Sequence, residues 1–170
     1  TIHIAPGVYT GQVQIISNKL TLIGQPGTIL RATTNMSSFP GSVHVPIIGI
    51  RFSQVTVRGL AFEGERLAER FVGPGDLEGI LFRQSSGNVE NCAFYGFRES
   101  TPGPEEADPI VVVSVADDAT EVNVRVVGST FADNYDGIYF IGSPSKQSIN
   151  VTVENNTFVG PGPLNNESMY

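Results

Sequence analysis

Gly59-Leu60-Ala61-Phe62 returns as Asn91-Cys92-Ala93-Phe94, as Gly128-Ser129-Thr130-Phe131 and as Asn155-Asn156-Thr157-Phe158. Each copy follows a short Val-bearing run. The first position is only ever Gly or Asn, the two residue types that enter the left-handed backbone region at least cost, so a sharp bend is expected at every copy. The Phe three residues later is expected to be buried each time. From Phe to Phe the spacings are 32, 37 and 27 residues, in the range of solenoids and propellers.

A second marker, small residue then Ile, any residue, and Phe or Val, reads Gly49-Ile50-Arg51-Phe52, Gly79-Ile80-Leu81-Phe82, Pro109-Ile110-Val111-Val112 and Gly137-Ile138-Tyr139-Phe140. Its spacings of 30, 30 and 28 residues fit one marker per turn of a solenoid, each unit holding two strands and a bend. Val55 and Val57, Val124 and Val126, and Val151 and Val153 alternate with Thr56, Arg125 and Thr152, the pattern of a strand buried on one face. No Asn-Gly or Asp-Gly pair sits at a two-residue hairpin, since Asp136-Gly137 opens a strand. A unit this short cannot close a core alone, and parallel stacking is the economical solution. Glu65 to Phe71 is the one helical candidate, about two turns long. A propeller needs four antiparallel strands per repeat. The expected fold is all-β, a right-handed parallel β-helix of about five or six coils, with a jelly roll as the rival. Residues 1–170 form one domain. The opening Thr1-Ile2-His3-Ile4 already reads as strand and neither end supplies an obvious cap, so a module of a longer chain is expected.

A net charge of -7 and a pI near 4.7 offer no basic stripe for a nucleic acid, and they repel acidic polymers unless a cation bridges them. Cys92 is the sole cysteine; beside the bend it reads as a small buried hydrophobe, and sites of several thiolates are excluded. No apolar run is long enough to insert into a membrane. Asn-x-Ser/Thr sequons at Asn35, Asn150, Asn155 and Asn166 favour an extracellular or cell-surface protein. Asn35, Asn150 and Asn166 are the glycan candidates, because Asn155 is already spoken for by the bend.

IHIAPGVYTGQVQI (2–15) and LTLIGQPGTIL (20–30) resemble the first coils of the pectin-lyase-like superfamily of right-handed β-helices, especially its pectin methylesterases, and DGIYFIGS (136–143) and NVTVENNTF (150–158) are similar to the generic parallel β-helix repeat. The resemblance covers nearly the whole chain and implies the coil. It leaves function open, since lyases, hydrolases, esterases, epimerases, adhesins and inert scaffolds share that coil. The esterases' D-F-I-F-G is not matched by Asp136-Gly137-Ile138-Tyr139-Phe140. The polygalacturonases' N-T-D-G-I-D finds only Asn134-Tyr135-Asp136-Gly137-Ile138, with Tyr139 where a second carboxylate belongs, and Asp117-Asp118 reads as a turn. Inverting hydrolysis needs two separated carboxylates, and that pair is missing. Pectate lyases need a cleft arginine among calcium-binding acids, and part of such a set is visible.

In this superfamily the polysaccharide cleft crosses one sheet. If the small-Ile strands build it, alternation turns Arg51 and Ser53, Leu81 and Arg83, Val111 and Val113, and Tyr139 and Ile141 outward. Such an apolar face is expected to be covered, either by the insertions at about Ala32 to Pro46, Glu63 to Asp76 and Arg98 to Ala107 or by a partner module. A sugar-binding use would fall to Arg51, Arg83 and Tyr139. The other strand presents Thr56, Arg58, Glu90, Arg125, Thr152 and Glu154, an ordinary wet face. Glu78, Asp108 and Asp136 each precede a small-Ile step, and stacking brings them within one or two strand spacings. Such a column raises its own pKa values or recruits a cation such as calcium, although acids before Gly or Pro are also ordinary turn chemistry. Glu99, Glu105 and Glu106 either add ligands or are solvated. His3 and His44 lack metal spacing and read as structural.

The expected function is a non-catalytic extracellular module with a structural or polysaccharide-binding role, requiring no cofactor and partnered by polysaccharide or neighbouring protein modules. The enzyme alternative is a calcium-assisted lyase or epimerase of uronate polymers. There Glu78, Asp108 and Asp136 hold calcium, Arg51 or Arg83 takes the proton, and Tyr139 serves as acid. A third reading is a fibre or surface-appendage component.

Overall fold

A computed structural model describes residues 1–71, 76–99, 107–114, 121–142 and 149–160. The chain winds through β1 (Ile2–Ile4), β2 (Gly7–Thr10) and β3 (Val13–Ile16), then β4 (Lys19–Gly24), β5 (Thr28–Arg31) and β6 (Val45–Arg51). It continues through β7 (Gln54–Arg58), β8 (Ala61–Glu63) and β9 (Leu77–Arg83), then β10 (Ser86–Glu90), β11 (Ala93–Tyr95) and β12 (Ala107–Ser114). The last described coils are β13 (Val122–Val127), β14 (Thr130–Ala132) and β15 (Ile138–Gly142), followed by β16 (Ile149–Glu154) and β17 (Thr157–Val159). Every third strand pairs in parallel with the next, giving a six-stranded sheet from β1 to β16, a six-stranded sheet from β2 to β17 and a five-stranded sheet from β3 to β15. This is the expected parallel β-helix.

Each coil holds three strands rather than two. The extra one is the Phe-bearing segment itself: Phe62, Phe94, Phe131 and Phe158 lie in register on β8, β11, β14 and β17. Three residues are too few to show a period of two, which hides such strands from pattern reading. Phe62, Phe94 and Phe131 are buried as expected, but Phe158 is 42% exposed because no described strand follows β17 in its sheet. Where the helical turn was expected, Ala68–Phe71 forms a short 3-10 helix.

The Gly/Asn bends adopt the expected conformation, with φ of 66° at Gly59, 50° at Asn91, 62° at Gly128 and 54° at Asn155. A second left-handed column, Ser17, Phe52 and Gln84 with φ of 55°, 50° and 48°, carries no Gly or Asn and left no sequence signal. Side chains from the next coil satisfy bend amides: Cys92 N–H donates to Ser129 Oγ at 3.1 Å, and Ser129 N–H to Asn156 Oδ1 at 2.7 Å.

The marker strands are β6, β9, β12 and β15, but their alignment is two residues off in the first. Ile48, not Ile50, lies opposite Ile80, and Ile50 lies opposite Phe82. A slip of two residues preserves the face, so Ile48, Ile80, Ile110 and Ile138 share one register position with Ile50, Phe82, Val112 and Phe140 beside them. On the sheet from β1 to β16, Val55, Val57, Val89, Val124 and Val126 are buried. The opposite face of that sheet pairs its charges, Arg58 with Glu90 at 2.5 Å and Arg125 with Glu154 at 2.8 Å.

Candidate functional site

The register sorts the outer face of the β3-to-β15 sheet into two columns. Gly49, Leu81, Val111 and Tyr139 form one; Arg51, Arg83, Val113 and Ile141 form the other. Ser53 leaves this face: β6 ends at Arg51, and the buried Ser53 sits in the following turn, its N–H donating to Ser85 Oγ at 3.1 Å.

The apolar part is covered from within the chain. Phe39, in the insertion between β5 and β6, is buried on Leu81, Val111 and Val113, with Ile141 at the margin. A β-carbon on Gly49 would lie 2.3 Å from the Phe39 ring, so only glycine leaves room for it.

Beside this plug, Arg51 and Arg83 occupy adjacent strands at the same register. Arg83 Nη1 donates to the Gly41 carbonyl, and the Arg51 guanidinium lies 4.7 Å from the centre of the exposed Phe52 ring. The Nε atoms of both are buried and have no hydrogen-bond partner. Five other arginines, Arg31, Arg58, Arg66, Arg98 and Arg125, pair with carboxylates; among the described residues no acid forms an ion pair with Arg51 or Arg83. Burial lowers the Arg83 pKa, and the neighbouring Arg51 charge lowers it further. Two like charges held a strand spacing apart are an anion-seeking arrangement.

Tyr139 lies two strands from Arg83 and two residues along, in the neighbouring column, roughly 12 Å away by strand spacing and rise. The acids sit at the other end of the strands. Glu78 and Asp108 are in register neighbours, as the column reading expected, whereas Asp136 precedes β15 and lies outside its pairing. Glu78 groups instead with two residues that the spacing did not single out. His44 Nδ1 contacts Glu78 Oε1, and one ligand atom each from His44, Asp76 and Glu78 lie within 4.8 Å of one another. His44 therefore has a partner, which 34 residues of separation concealed. The register explains it: His44 and Asp76 each precede the paired residues Val45 and Leu77, and Val45 N–H donates to the Asp76 carbonyl at 2.9 Å.

Glu78 is fully buried, and its Oε2 has no hydrogen-bond partner. Burial pushes its carboxyl well above the ordinary range; the Asp76 charge pushes the same way and the Val45 amide opposes it. Burial lowers His44, against the upward pull of Asp76 and Asp108 and with a smaller lowering from Arg83. Both partners are thereby driven toward their neutral forms.

Of the remaining candidates, Asn35 and Asn150 are exposed, and Asn150 Nδ2 donates to Asn123 Oδ1 at 3.0 Å. His3 is exposed and Glu99 is buried. Asn166, Glu105, Glu106 and Asp117-Asp118 lie outside the described residues. No helix among the described residues is long and apolar enough to cross a membrane. Compared with protein-family models, curated proteins and solved structures, the chain finds no match.

Proposed function

We propose that this chain is a non-catalytic, extracellular β-helix module that binds an acidic polysaccharide on Arg51 and Arg83, with Phe52 as a platform for a sugar ring. The observation carrying this reading is the in-register pair of part-exposed arginines with which no acid among the described residues forms an ion pair. Guanidinium pairs take carboxylate or sulfate oxygens in bidentate fashion, which offsets part of the repulsion from an acidic chain. The resemblance to the pectin-lyase-like superfamily supports a uronate polymer as the class.

The lyase or epimerase alternative asks Arg51 or Arg83, Tyr139 and a calcium-holding column to converge on one sugar. Their spread along and across the sheet, with Phe39 seated between the columns, favours binding over turnover, since proton transfer requires hydrogen-bond reach.

Affinity electrophoresis through polygalacturonate, alginate and a neutral glucan tests the proposal. Retardation by an acidic polymer, lost in the Arg51→Ala/Arg83→Ala double variant and absent with the glucan, is expected. Equal migration of parent and variant in every gel sinks it. Accumulation of unsaturated product with calcium would replace it with the lyase reading.

A further inference from the structure

We propose that His44, Asp76 and Glu78 form a binding site for one divalent cation of the zinc class, which fastens the 32–44 insertion to β9. The site is distinct from the arginine shelf, and the inference does not depend on carbohydrate binding.

The three ligand atoms lie within 4.8 Å of one another. Around a tetrahedral ion, metal bonds of about 2.0–2.2 Å hold ligand atoms roughly 3.4 Å apart, so to take one ion the farthest pair closes by about 1–1.5 Å while the touching His44 and Glu78 atoms open by about 1 Å. The donors arrive from two neighbouring strand entrances, His44 before β6 and Asp76 and Glu78 at β9, held in mutual register by Val45 opposite Leu77. A second observation is independent of this proximity. Glu78 is fully buried, yet its Oε2 has no hydrogen-bond partner. A buried carboxyl oxygen without a partner is costly, and a coordinated cation removes that cost.

The donor set selects the ion. Two carboxylates alone would suit calcium, which prefers six to eight oxygen ligands; the imidazole nitrogen shifts the preference to zinc and its neighbours. His44 closes the segment that carries Phe39 and Gly41, the residues that cover Leu81 and accept from Arg83. An ion bridging His44 to Glu78 therefore adds a metal link to a segment that is otherwise held by hydrogen bonds, among them Gln12 to Ser37 and Pro46 and Arg83 to Gly41.

The test uses the full chain after chelator treatment, titrated with cobalt(II) followed by visible absorption and with zinc followed by calorimetry. One saturable ion per chain is expected. His44→Ala and Asp76→Asn should each weaken it by about tenfold or more. Asp76 is part-exposed, so Asp76→Asn carries the test if His44→Ala fails to fold. Zinc should also slow amide exchange over residues 32–44. The absence of a saturable cobalt band, equal affinity in parent and Asp76→Asn, or tighter binding of calcium than of zinc overturns the site. Zinc binding with unchanged exchange over 32–44 overturns the fastening.

Discussion

The ring of Phe94 lies on that of Phe131 with centroids 5.0 Å apart and planes 7° from parallel. Phe62 and Phe158 extend the stack at 4.8 and 4.7 Å. Isolated aromatic pairs prefer offset or edge-to-face contacts, so in-register pairing at about 4.8 Å per strand sets this spacing. Phe94→Ala, with a ring neighbour on either side, should cost about 3–5 kcal/mol. Phe158→Ala, at the exposed end, should cost less than about half as much. Denaturant midpoints of the two variants check the order.

The bend column gives a sharper contrast. Gly128 has φ of 62°, and a β-carbon there would lie 2.5 Å from Asn91 Oδ1. Gly128→Ala should cost about 1–2 kcal/mol for the left-handed backbone alone, with more for displacing Asn91. Asn91→Gly keeps the backbone free and should stay within about 1 kcal/mol of the parent. Thermal unfolding of both variants separates the two effects.

How much of this was legible follows from where each signal resides. Gly59, Asn91, Gly128 and Asn155 announced their bends because a backbone conformation restricts residue type at one position. Phe52 and Gln84 adopt the same conformation with side chains that give no hint of it. The buried faces followed from period two, and a register error of two residues left every face intact. Cover for the apolar face was expected from the insertions, yet nothing in the sequence singles out Phe39, whose partners lie on the four strands β6, β9, β12 and β15. The expected acid column survives as Glu78 beside Asp108, but the cluster with His44 and Asp76 forms across coils, and the spacing of Glu78, Asp108 and Asp136 does not encode it.

Cys92 should be chemically silent while the coil is intact. Its thiol is buried, donates weakly to the Glu90 carbonyl at 3.4 Å, and is pushed up to about 11, chiefly by burial. At pH 8 only about one molecule in a thousand carries the thiolate. A thiol-specific disulfide reagent should therefore react at the rate of unfolding. Because the native thiol holds its proton above the pH where the unfolded thiol loses it, stability falls as pH rises from about 9 toward 11. Cys92→Ala should flatten that part of the profile. Rapid labelling of the folded chain would contradict the buried setting.

The Phe39 plug and Gly49 make the strongest test of the covered face, since each explains the other. A β-carbon on Gly49 would stand 2.3 and 2.4 Å from two atoms of the Phe39 ring, so Gly49→Ala forces the ring off Leu81 and Val111 or pushes the loop outward. Overpacking of this kind costs about 1–3 kcal/mol. Phe39→Ala removes the same contact from the other side at about 3–5 kcal/mol. With the ring gone, the added methyl meets no clash, so the double variant should be more stable than the sum of the single losses by about 0.5–3 kcal/mol. Strict additivity in denaturant melts would mean that Phe39 does not rest on Gly49. The sheet face between the arginine shelf and Tyr139 would then be open rather than covered, and a groove across both columns would again be available to a polymer.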